Sequence, residues 1–320
     1  MIYMLKKFLF YLFLLSVPLI LMVALNIILD SRSYYNDRYA TSLAKNLAKN
    51  DLSIFREPSL RIVKRELISE NSGKHFDKII LGSSRTMHLG SNDPNILNIS
   101  VPGAVFEDYV ILLDLLDSNS IKFDTIVISA HPWLFNINHG DVRYKTFNSS
   151  FLIDSLQYAF SWKYFWDNIT PGKYELWNGN DKDFVIYKNG TVRFDRSYRE
   201  DIPDVSKYVE NAMNGAFHDF NMIDENYRLG FENMIRKFIE SGHIVELILL
   251  PYHPLVYNEL IKKVPVVTDI EKLYYSYPEE NINVWGSYDP FKLKLDSTDF
   301  YDANHMRLES LENLYNSAKK

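Results

Sequence analysis

An uncharged apolar run at residues 8–29 is the feature that most restricts how this chain can fold. At about 1.5 Å per residue, a helix of this length is long enough to cross a hydrocarbon core of about 30 Å. Lys6 and Lys7 precede the run, whereas one acidic and one basic residue, Asp30 and Arg32, follow it. Cytoplasmic flanks carry the excess of Lys and Arg, so this arrangement favours a cytoplasmic N-terminus. The sequence predicts a single-pass anchor in the cell membrane, with the main domain outside the cytoplasm.

A cleaved signal peptide is the alternative interpretation of the same run. The apolar stretch is long for a signal peptide, and the nearest approach to a small-x-small cleavage site is Met22-Val23-Ala24. We therefore predict an uncleaved anchor. The expected division of the chain is a tail and anchor at 1–30, a stalk and leading helix at 31–75, and one domain at 76–320.

Composition excludes several classes of function. The net charge of −6 gives no basic footprint for nucleic acid, so no nucleic-acid partner is expected. The absence of cysteine excludes disulfides, thiolate catalysis and cysteine-ligated metal sites. The residues after the anchor are numerous enough for one large domain with a substantial core.

Short apolar segments alternate with amphipathic stretches along this domain. Candidate strands lie at residues 78–81, 96–99, 125–129, 246–250 and 282–285. Helical patterns lie at residues 39–49, 60–68, 106–117 and 227–239, and a terminal helix is expected from Arg307. Alternation of this kind is typical of a mostly parallel sheet covered on both faces. The predicted fold class is therefore α/β, a three-layer sandwich.

Candidate site residues follow each predicted strand, where open parallel sheets bind their ligands. They are Ser84, Gly103, His131 and His253 after the first four strands, and Asp302 with His305 after the fifth. A serine hydroxyl becomes a useful nucleophile when a histidine accepts its proton and a carboxylate orients that histidine. Ser84, His305 and Asp302 could supply these three parts.

These motifs resemble the SGNH (GDSL-like) hydrolases, and among them the membrane-anchored, extracytoplasmic members linked to modification of envelope polysaccharides. Gly82-Ser83-Ser84 is similar to the family's Gly-Asp-Ser block, with Ser83 in place of the aspartate. Asp302-Ala303-Asn304-His305 is similar to its Asp-x-x-His block. The resemblance implies an SGNH or flavodoxin-like sheet, Ser84 as nucleophile, His305 as base and Asp302 as orienting acid. It also implies an oxyanion hole made by the backbone amides of Ser84 and Gly103.

The third block of the family pattern is altered. Where the family has Gly-x-Asn-Asp, whose asparagine donates to the oxyanion, this chain has Ser129-Ala130-His131-Pro132-Trp133. One oxyanion donor is typically worth a factor of about 10² to 10³ in rate. His131 or Asn136 is a candidate substitute for the missing donor. Arg85 and His253 are candidates for binding the substrate, Arg85 through a substrate anion, although Arg85 also fits a packing ion pair.

Structural interpretations of the same residues stay open at this point. Ser84 also fits a turn residue that caps a helix near Arg85, and Asp302 fits an N-cap of the last helix. A histidine before a proline, as at His131 and His253, is often structural. A zinc site formed by His131, His253, Asp302 and His305 is a further alternative, although no close His-x-x-x-His pair supports it. We predict neither a metal nor a cofactor.

Residues 136–225 are expected to form an aromatic-rich insertion. Trp133, Trp162 and Trp166 lie at its start or inside it, and large aromatic faces suit stacking on sugar rings. We predict that they form one wall of a glycan cleft. Residues 181–196 match a β-hairpin with an Asn-Gly turn, expected to project from the insertion.

Together these features predict a serine esterase or O-acyltransferase that acts on the acyl groups of a cell-surface glycan. Acetyl is the expected acyl group. The expected partners are the glycan or its acyl donor, the membrane, and other membrane proteins of envelope polysaccharide assembly. The alternative is an inactive module of the same fold that binds glycan or scaffolds such a complex, since fold alone does not determine function.

Overall fold

Five short apolar segments form the central parallel sheet of the computed structural model. They are β2 (His75–Leu81), β3 (Ile96–Asn98), β4 (Lys122–Ser129), β7 (Ile244–Leu249) and β8 (Ile282–Gly286), in the spatial order β3-β2-β4-β7-β8. Every neighbouring pair is parallel. The structure describes residues 2–30, 37–49, 52–54, 59–90, 93–147, 156–169, 185–193, 205–277 and 281–317. The predicted α/β class and all five predicted strands are confirmed.

Side chains alternate between two cores on the opposite faces of this sheet. In β2, Ile79 and Leu81 enter the larger core, whereas Ile80 enters the smaller one. In β4, Ile126 and Ile128 face the larger core and Val127 the smaller. This period of two, with apolar residues on both faces, is why the strands read as continuous hydrophobic runs.

Helices cover both faces of the sheet. The predicted helical patterns correspond to α2 (Arg38–Lys49), α3 (Leu60–Glu70), α4 (Phe106–Ser118), α8 (Glu225–Glu240) and α11 (Leu308–Ser317). The structure adds α7 (Val205–Asn214), α9 (Pro254–Lys263) and α10 (Val266–Tyr275), which the sequence patterns did not predict. Leu311 and Tyr315 of α11 pack on the smaller core, whereas α4, α8, α9 and α10 pack on the larger one.

The predicted hairpin forms but does not project from the protein. Its strands are β5 (Val185–Tyr187) and β6 (Val192–Arg193), and Gly190 adopts the left-handed φ of +83° in the turn. β5 also pairs with the short strand β1 (Leu52–Ile54). Ile186 and Val192 are fully buried in a small core with α2, α3 and Met87. The hairpin is therefore a packed part of the domain, which corrects the expectation of a projecting element.

The N-terminal helix α1 (Ile2–Leu29) is long and apolar enough over Tyr3–Leu29 to span a membrane. Its last turns contact two short helices from the expected insertion, α5 (Leu156–Ala159) and α6 (Trp162–Ile169). The Asn26 side chain of α1 donates hydrogen bonds to the carbonyls of Tyr158, Ala159 and Ser161 at 2.9–3.2 Å. The end of α1 is thus tied to these helices through buried polar contacts.

Candidate active site

A cleft of about 360 Å³ lies beyond the carboxyl ends of the parallel strands. In the strand order β3-β2-β4-β7-β8, the chain passes from β2 outward to β3 and then back to β4 on the other side. Ligands of open α/β sheets bind at such a reversal of strand order. A larger depression of about 470 Å³ exists elsewhere, but the Glu271 carboxylate in it is already paired with Lys292.

Ser84 reaches this cleft because the chain turns sharply after β2. An added Cβ at Gly82 would lie 2.2 Å from Thr86 Oγ1 and 2.7 Å from Ser129 Cβ, so only glycine fits there. The chain then continues through turns over residues 84–90 instead of a helix. Ser84 therefore does not cap a helix, and its half-buried side chain lies at the cleft wall.

A chain of hydrogen bonds joins the three predicted catalytic side chains. Ser84 Oγ lies 2.8 Å from His305 Nε2. His305 Nδ1 lies 2.9 and 2.8 Å from the two carboxylate oxygens of Asp302. Both separations fall in the range expected for a poised nucleophile, base and orienting acid. The structure thus brings together residues that are more than 200 positions apart in the chain.

Hydrogen bonds fix the Asp302 carboxylate beside the ring of His305, and Asp302 does not cap the last helix. Its Oδ1 accepts hydrogen bonds from the backbone amides of Asn304 and His305 at 2.8 and 2.9 Å, and α11 begins only at Leu308. Burial alone would raise the pKa of the Asp302 carboxyl. The charge of His305 and the hydrogen bonds from His305 and Asn304 outweigh that effect, so the pKa lies below its usual value. Asp302 is therefore ionised at neutral pH.

Arg85 is a clamp beneath the cleft. Its guanidinium donates to the carbonyls of Asn304 at 3.0 Å, Leu250 at 2.8 Å and Pro251, and stacks 4.3 Å from the Tyr252 ring. The residue is 4 % exposed. The carbonyls of Leu250 and Pro251 belong to the loop that carries His253, and the carbonyl of Asn304 belongs to the loop that carries His305. Arg85 therefore fixes these two loops relative to each other. Arg85 also lines the cleft, and its Nη1 has no hydrogen-bond partner among the described residues, so the anion-binding role stays a prediction.

The backbone amides predicted for the oxyanion hole both belong to residues that line the cleft. Ser84 and Gly103 face it from the loops after β2 and β3. Neither amide has an acceptor among the described residues. Gly103 has a left-handed φ of +56°, and an added Cβ would lie 2.2 Å from Arg143 Nη2. A side chain at Gly103 would therefore displace Arg143 from the cleft wall.

The two candidate side-chain substitutes for the oxyanion donor do not line the cleft. His131 is buried, with Nε2 2.9 Å from Ser129 Oγ and its ring stacked 4.2 Å from Trp133. Burial, together with the charges of Arg85 and His305, lowers the pKa of His131 well below its usual value. Asn136 donates its amide hydrogens to the carbonyls of Ala216 and His218. Both side chains are committed to packing and loop contacts.

His253 is also placed differently from its predicted substrate-binding role. Its Nδ1 accepts a hydrogen bond from Leu255 N at 3.2 Å at the start of α9, and its own amide donates to Ala303 O at 3.3 Å. Burial lowers the pKa of His253, although the Asp302 charge opposes that shift. His253 therefore supports the Asp302–His305 loop from behind.

One of the three predicted tryptophans reaches the cleft. Trp133 lines it, donates from Nε1 to Ala104 O at 2.9 Å and meets Phe217 edge to face. Trp162 and Trp166 lie on α6 beside α1 and are not among the residues that line the cleft. The described lining of the cleft therefore includes Trp133 but neither Trp162 nor Trp166.

Several cleft residues were not anticipated. Tyr252 and Phe217 supply aromatic surface, and His139, Asp141 and Arg143 come from the segment after β4. Arg143 Nε is 2.8 Å from Asp141 Oδ2, and this partner keeps the pKa of Arg143 above its usual value despite burial. No motif marks these residues; His139 and Arg143 lie in short 3-10 helices after β4.

The zinc alternative lacks geometric support. The ligand atoms of His131, His253, Asp302 and His305 do not come within 4.8 Å of one another as a group. Within the described part of the chain, His75, Asp77 and Asp124 do so, but all three are exposed and belong to the opposite end of the sheet.

No protein-family model matches the chain, and no curated protein is significantly similar to it. The chemistry of the site is therefore inferred from its own geometry.

Proposed function

We propose that the protein is a membrane-anchored serine esterase or O-acyltransferase of SGNH type, acting on acyl groups of a cell-surface glycan. The observation that carries the proposal is the contact of 2.8 Å from Ser84 Oγ to His305 Nε2, with Asp302 on the other ring nitrogen. A buried or capping serine would not need a histidine held in this orientation. The SGNH resemblance of the three blocks supports the same assignment.

In the proposed reaction, Ser84 Oγ attacks the carbonyl carbon of an acyl ester while His305 Nε2 accepts the hydroxyl proton. Asp302 holds the proton on His305 Nδ1 and stabilises the imidazolium. The protonated His305 then donates its Nε2 proton to the departing alkoxide, which leaves an acyl-Ser84 ester. Water or a sugar hydroxyl attacks that ester and gives its proton to His305, which passes the proton to Ser84 Oγ as the acyl group leaves the serine. Water yields hydrolysis, and a sugar yields transfer.

The cleft supports a small acyl group on a sugar. Its volume of about 360 Å³ suits one sugar ring, and Trp133, Phe217 and Tyr252 offer aromatic faces beside polar groups. The amides of Ser84 and Gly103 would bind the oxyanion, with two donors instead of the family's three. We expect such a site to be slower by about 10² to 10³ than one with the asparagine.

The inactive binding module remains the second candidate, because the structure offers neither His131 nor Asn136 as a replacement donor.

A fluorophosphonate probe separates the two functions. If Ser84 is activated, the full chain in detergent should become covalently labelled at Ser84. Ser84→Ala should abolish labelling and His305→Ala should slow it severely, while Ser129→Ala, which removes a buried serine bonded to His131, should leave it intact.

The decisive test is the acylation state of the native glycan in cells. In cells that carry Ser84→Ala at normal protein abundance, the acyl content of the surface polysaccharide should differ from that of cells with the natural chain. An unchanged acyl content would contradict the enzyme and favour the binding module.

A further inference from the structure

An exposed aromatic cluster lies beside the end of α1. It consists of Phe160, Trp162, Phe165 and Trp166, and three of these residues are strongly exposed, at 62 % for Phe160, 60 % for Trp162 and 47 % for Trp166. The Trp162 ring stacks on Phe165 at 5.1 Å and meets Trp166 edge to face at 5.7 Å. The rings of Trp162, Phe165 and Trp166 therefore pack on one another, while much of the surface of the cluster stays exposed.

Hydrogen bonds fix the position of this cluster along α1. Met22 and Asn26 on the last turns of α1, and Asp30 just after its end, are buried residues spaced by four. Asn26 Nδ2 donates to the carbonyls of Tyr158, Ala159 and Ser161, and Asn168 donates to Asn26 Oδ1 at 3.2 Å. Tyr164 OH donates to Asp30 Oδ1 at 2.7 Å. These hydrogen bonds start at Asn26, less than one helical turn before α1 ends at Leu29.

The depth of these contacts follows from helix geometry. If the apolar run crosses the bilayer, its end at Leu29 lies at one membrane surface, and Asn26 lies roughly 4.5 Å before that end at 1.5 Å per residue. The carbonyls bonded to Asn26 must lie at the same depth. Trp162 and Trp166, on the helix that follows those carbonyls, therefore come to the level of the lipid headgroups. Other residues of the last turns, such as Ile27, Ile28 and Leu29, stay exposed for lipid contact.

We propose that α5 and α6 form a membrane-interface element, in which Phe160, Trp162 and Trp166 insert between the headgroups on the side of the main domain. Tryptophan prefers this layer because its ring is apolar and its N–H is polar. The element would turn a one-helix tether into a two-point attachment, with Asn26 and Asp30 as the joint. This location requires α1 to lie in a membrane, but it does not depend on the chemistry proposed for Ser84.

The cysteine-free chain allows a direct test with a single spin label. Phe160→Cys places the only thiol in the cluster and keeps both tryptophans. Phe291→Cys and Ile244→Cys are matched controls at apolar residues that are 55 % and 40 % exposed near opposite ends of the β7–β8 pair. The full chain would be reconstituted into phosphatidylcholine vesicles with a fraction of phosphatidylglycerol, and collision of the label with oxygen and with a water-soluble nickel chelate would be measured.

The label at residue 160 should collide several-fold less often with the nickel chelate, and more often with oxygen, than both control labels. Adding Trp162→Ser and Trp166→Ser to Phe160→Cys should raise its collision with nickel toward the control values. Equal nickel collision at residues 160, 244 and 291 would overturn the interface position, and would leave the cluster as a surface for a protein that pure lipid vesicles lack.

Flotation of the vesicles tests whether α1 anchors the protein, separately from the interface position of residue 160 and from the activity of Ser84. If the protein fails to float with lipid, α1 is not an anchor and the interface position fails with it. If it floats and residue 160 is protected while Ser84 does not react with fluorophosphonate, the interface element stands and the proposed enzyme activity fails.

Discussion

The hydrogen bond between Ser84 and His305 can activate the serine only if the imidazole ring keeps its orientation. Asp302 holds that orientation with both of its carboxylate oxygens. Asp302→Asn would preserve size but present an amide to His305 Nδ1, which favours the wrong tautomer. We expect Asp302→Asn to reduce the fluorophosphonate labelling rate of Ser84 by about 10³ to 10⁴. The double variant with His305→Ala should be no slower than His305→Ala alone, because the residues work as a unit. Fully additive losses would contradict a triad.

Arg85 offers a second residue-scale test, because its guanidinium joins three loop carbonyls. Arg85→Lys keeps the charge but cannot bond the carbonyls of Leu250, Pro251 and Asn304 together. We expect a loss of about 1–3 kcal/mol in unfolding free energy from unpaired carbonyls, and up to about 10² in labelling rate from a displaced His305. Arg228→Lys, on the exposed face of α8, is the matched control. Labelling with a small probe at the normal rate would instead assign Arg85 to binding a larger substrate.

The candidate triad could be predicted from sequence because Ser84 closely follows β2, where the chain has few ways to turn, and because Asp302 and His305 match the Asp-x-x-His block, although they lie well beyond the end of β8 at Gly286. His131, Asn136 and His253 could not be assigned in the same way. Their residue types fit a site, but their direction depends on packing against Ser129, on the carbonyls of Ala216 and His218, and on the start of α9. Such contacts join segments with no common pattern in the sequence.

At the scale of elements, the strands were predictable because their apolar runs are buried on both faces, whereas the role of the hairpin was not. Val192 N donates to Met87 O at 2.8 Å and Thr191 Oγ1 to Leu89 O at 3.1 Å, so the hairpin braces the turn that carries Ser84. An Asn-Gly turn predicts a hairpin locally, but these partners lie about 100 residues earlier in the chain. The same limit applies to α6, whose tryptophans suit a cleft or a membrane equally well until Asn26 is seen to hold the element beside α1.

Lys64 joins α3 to this hairpin and makes the brace sensitive to pH. Its Nζ is fully buried and donates to the carbonyls of Asn98, at 2.7 Å, and Gly190. Burial lowers the pKa of Lys64 from 10.5 to about 7. A neutral amine still supplies two N–H donors, which matches the two carbonyls.

Between pH 7 and 10.5 the unfolded chain holds a proton on Lys64 that the folded chain has released, so stability should rise with pH in this window. The slope from this group is at most about 1.4 kcal/mol per pH unit. Lys64→Met should be less stable than the natural chain at pH 9 and should lack this slope. Urea unfolding of both proteins in detergent at pH 7, 8 and 9 measures the difference. Parallel curves would show that Lys64 keeps its charge when buried.

At the scale of the whole molecule, the orientation in the membrane decides whether the cleft can meet a surface glycan. The described helix α1 is long and apolar enough to span a membrane. A cleft facing the cytoplasm would instead meet cytoplasmic esters. The proposed substrate class therefore depends on Lys6 and Lys7 staying inside the cell.

We expect Lys6 and Lys7 to remain cytoplasmic, since the flank richer in Lys and Arg stays there. A single cysteine at Phe291, exposed in the domain, should react with a membrane-impermeant maleimide added to intact cells. A cysteine at Tyr3, before the two lysines, should react only after lysis. Replacing Lys6 and Lys7 with Glu should weaken this preference and give a fraction of chains with the reverse pattern. If Phe291→Cys reacts only in lysed cells, the domain faces the cytoplasm, and a surface glycan cannot be its substrate.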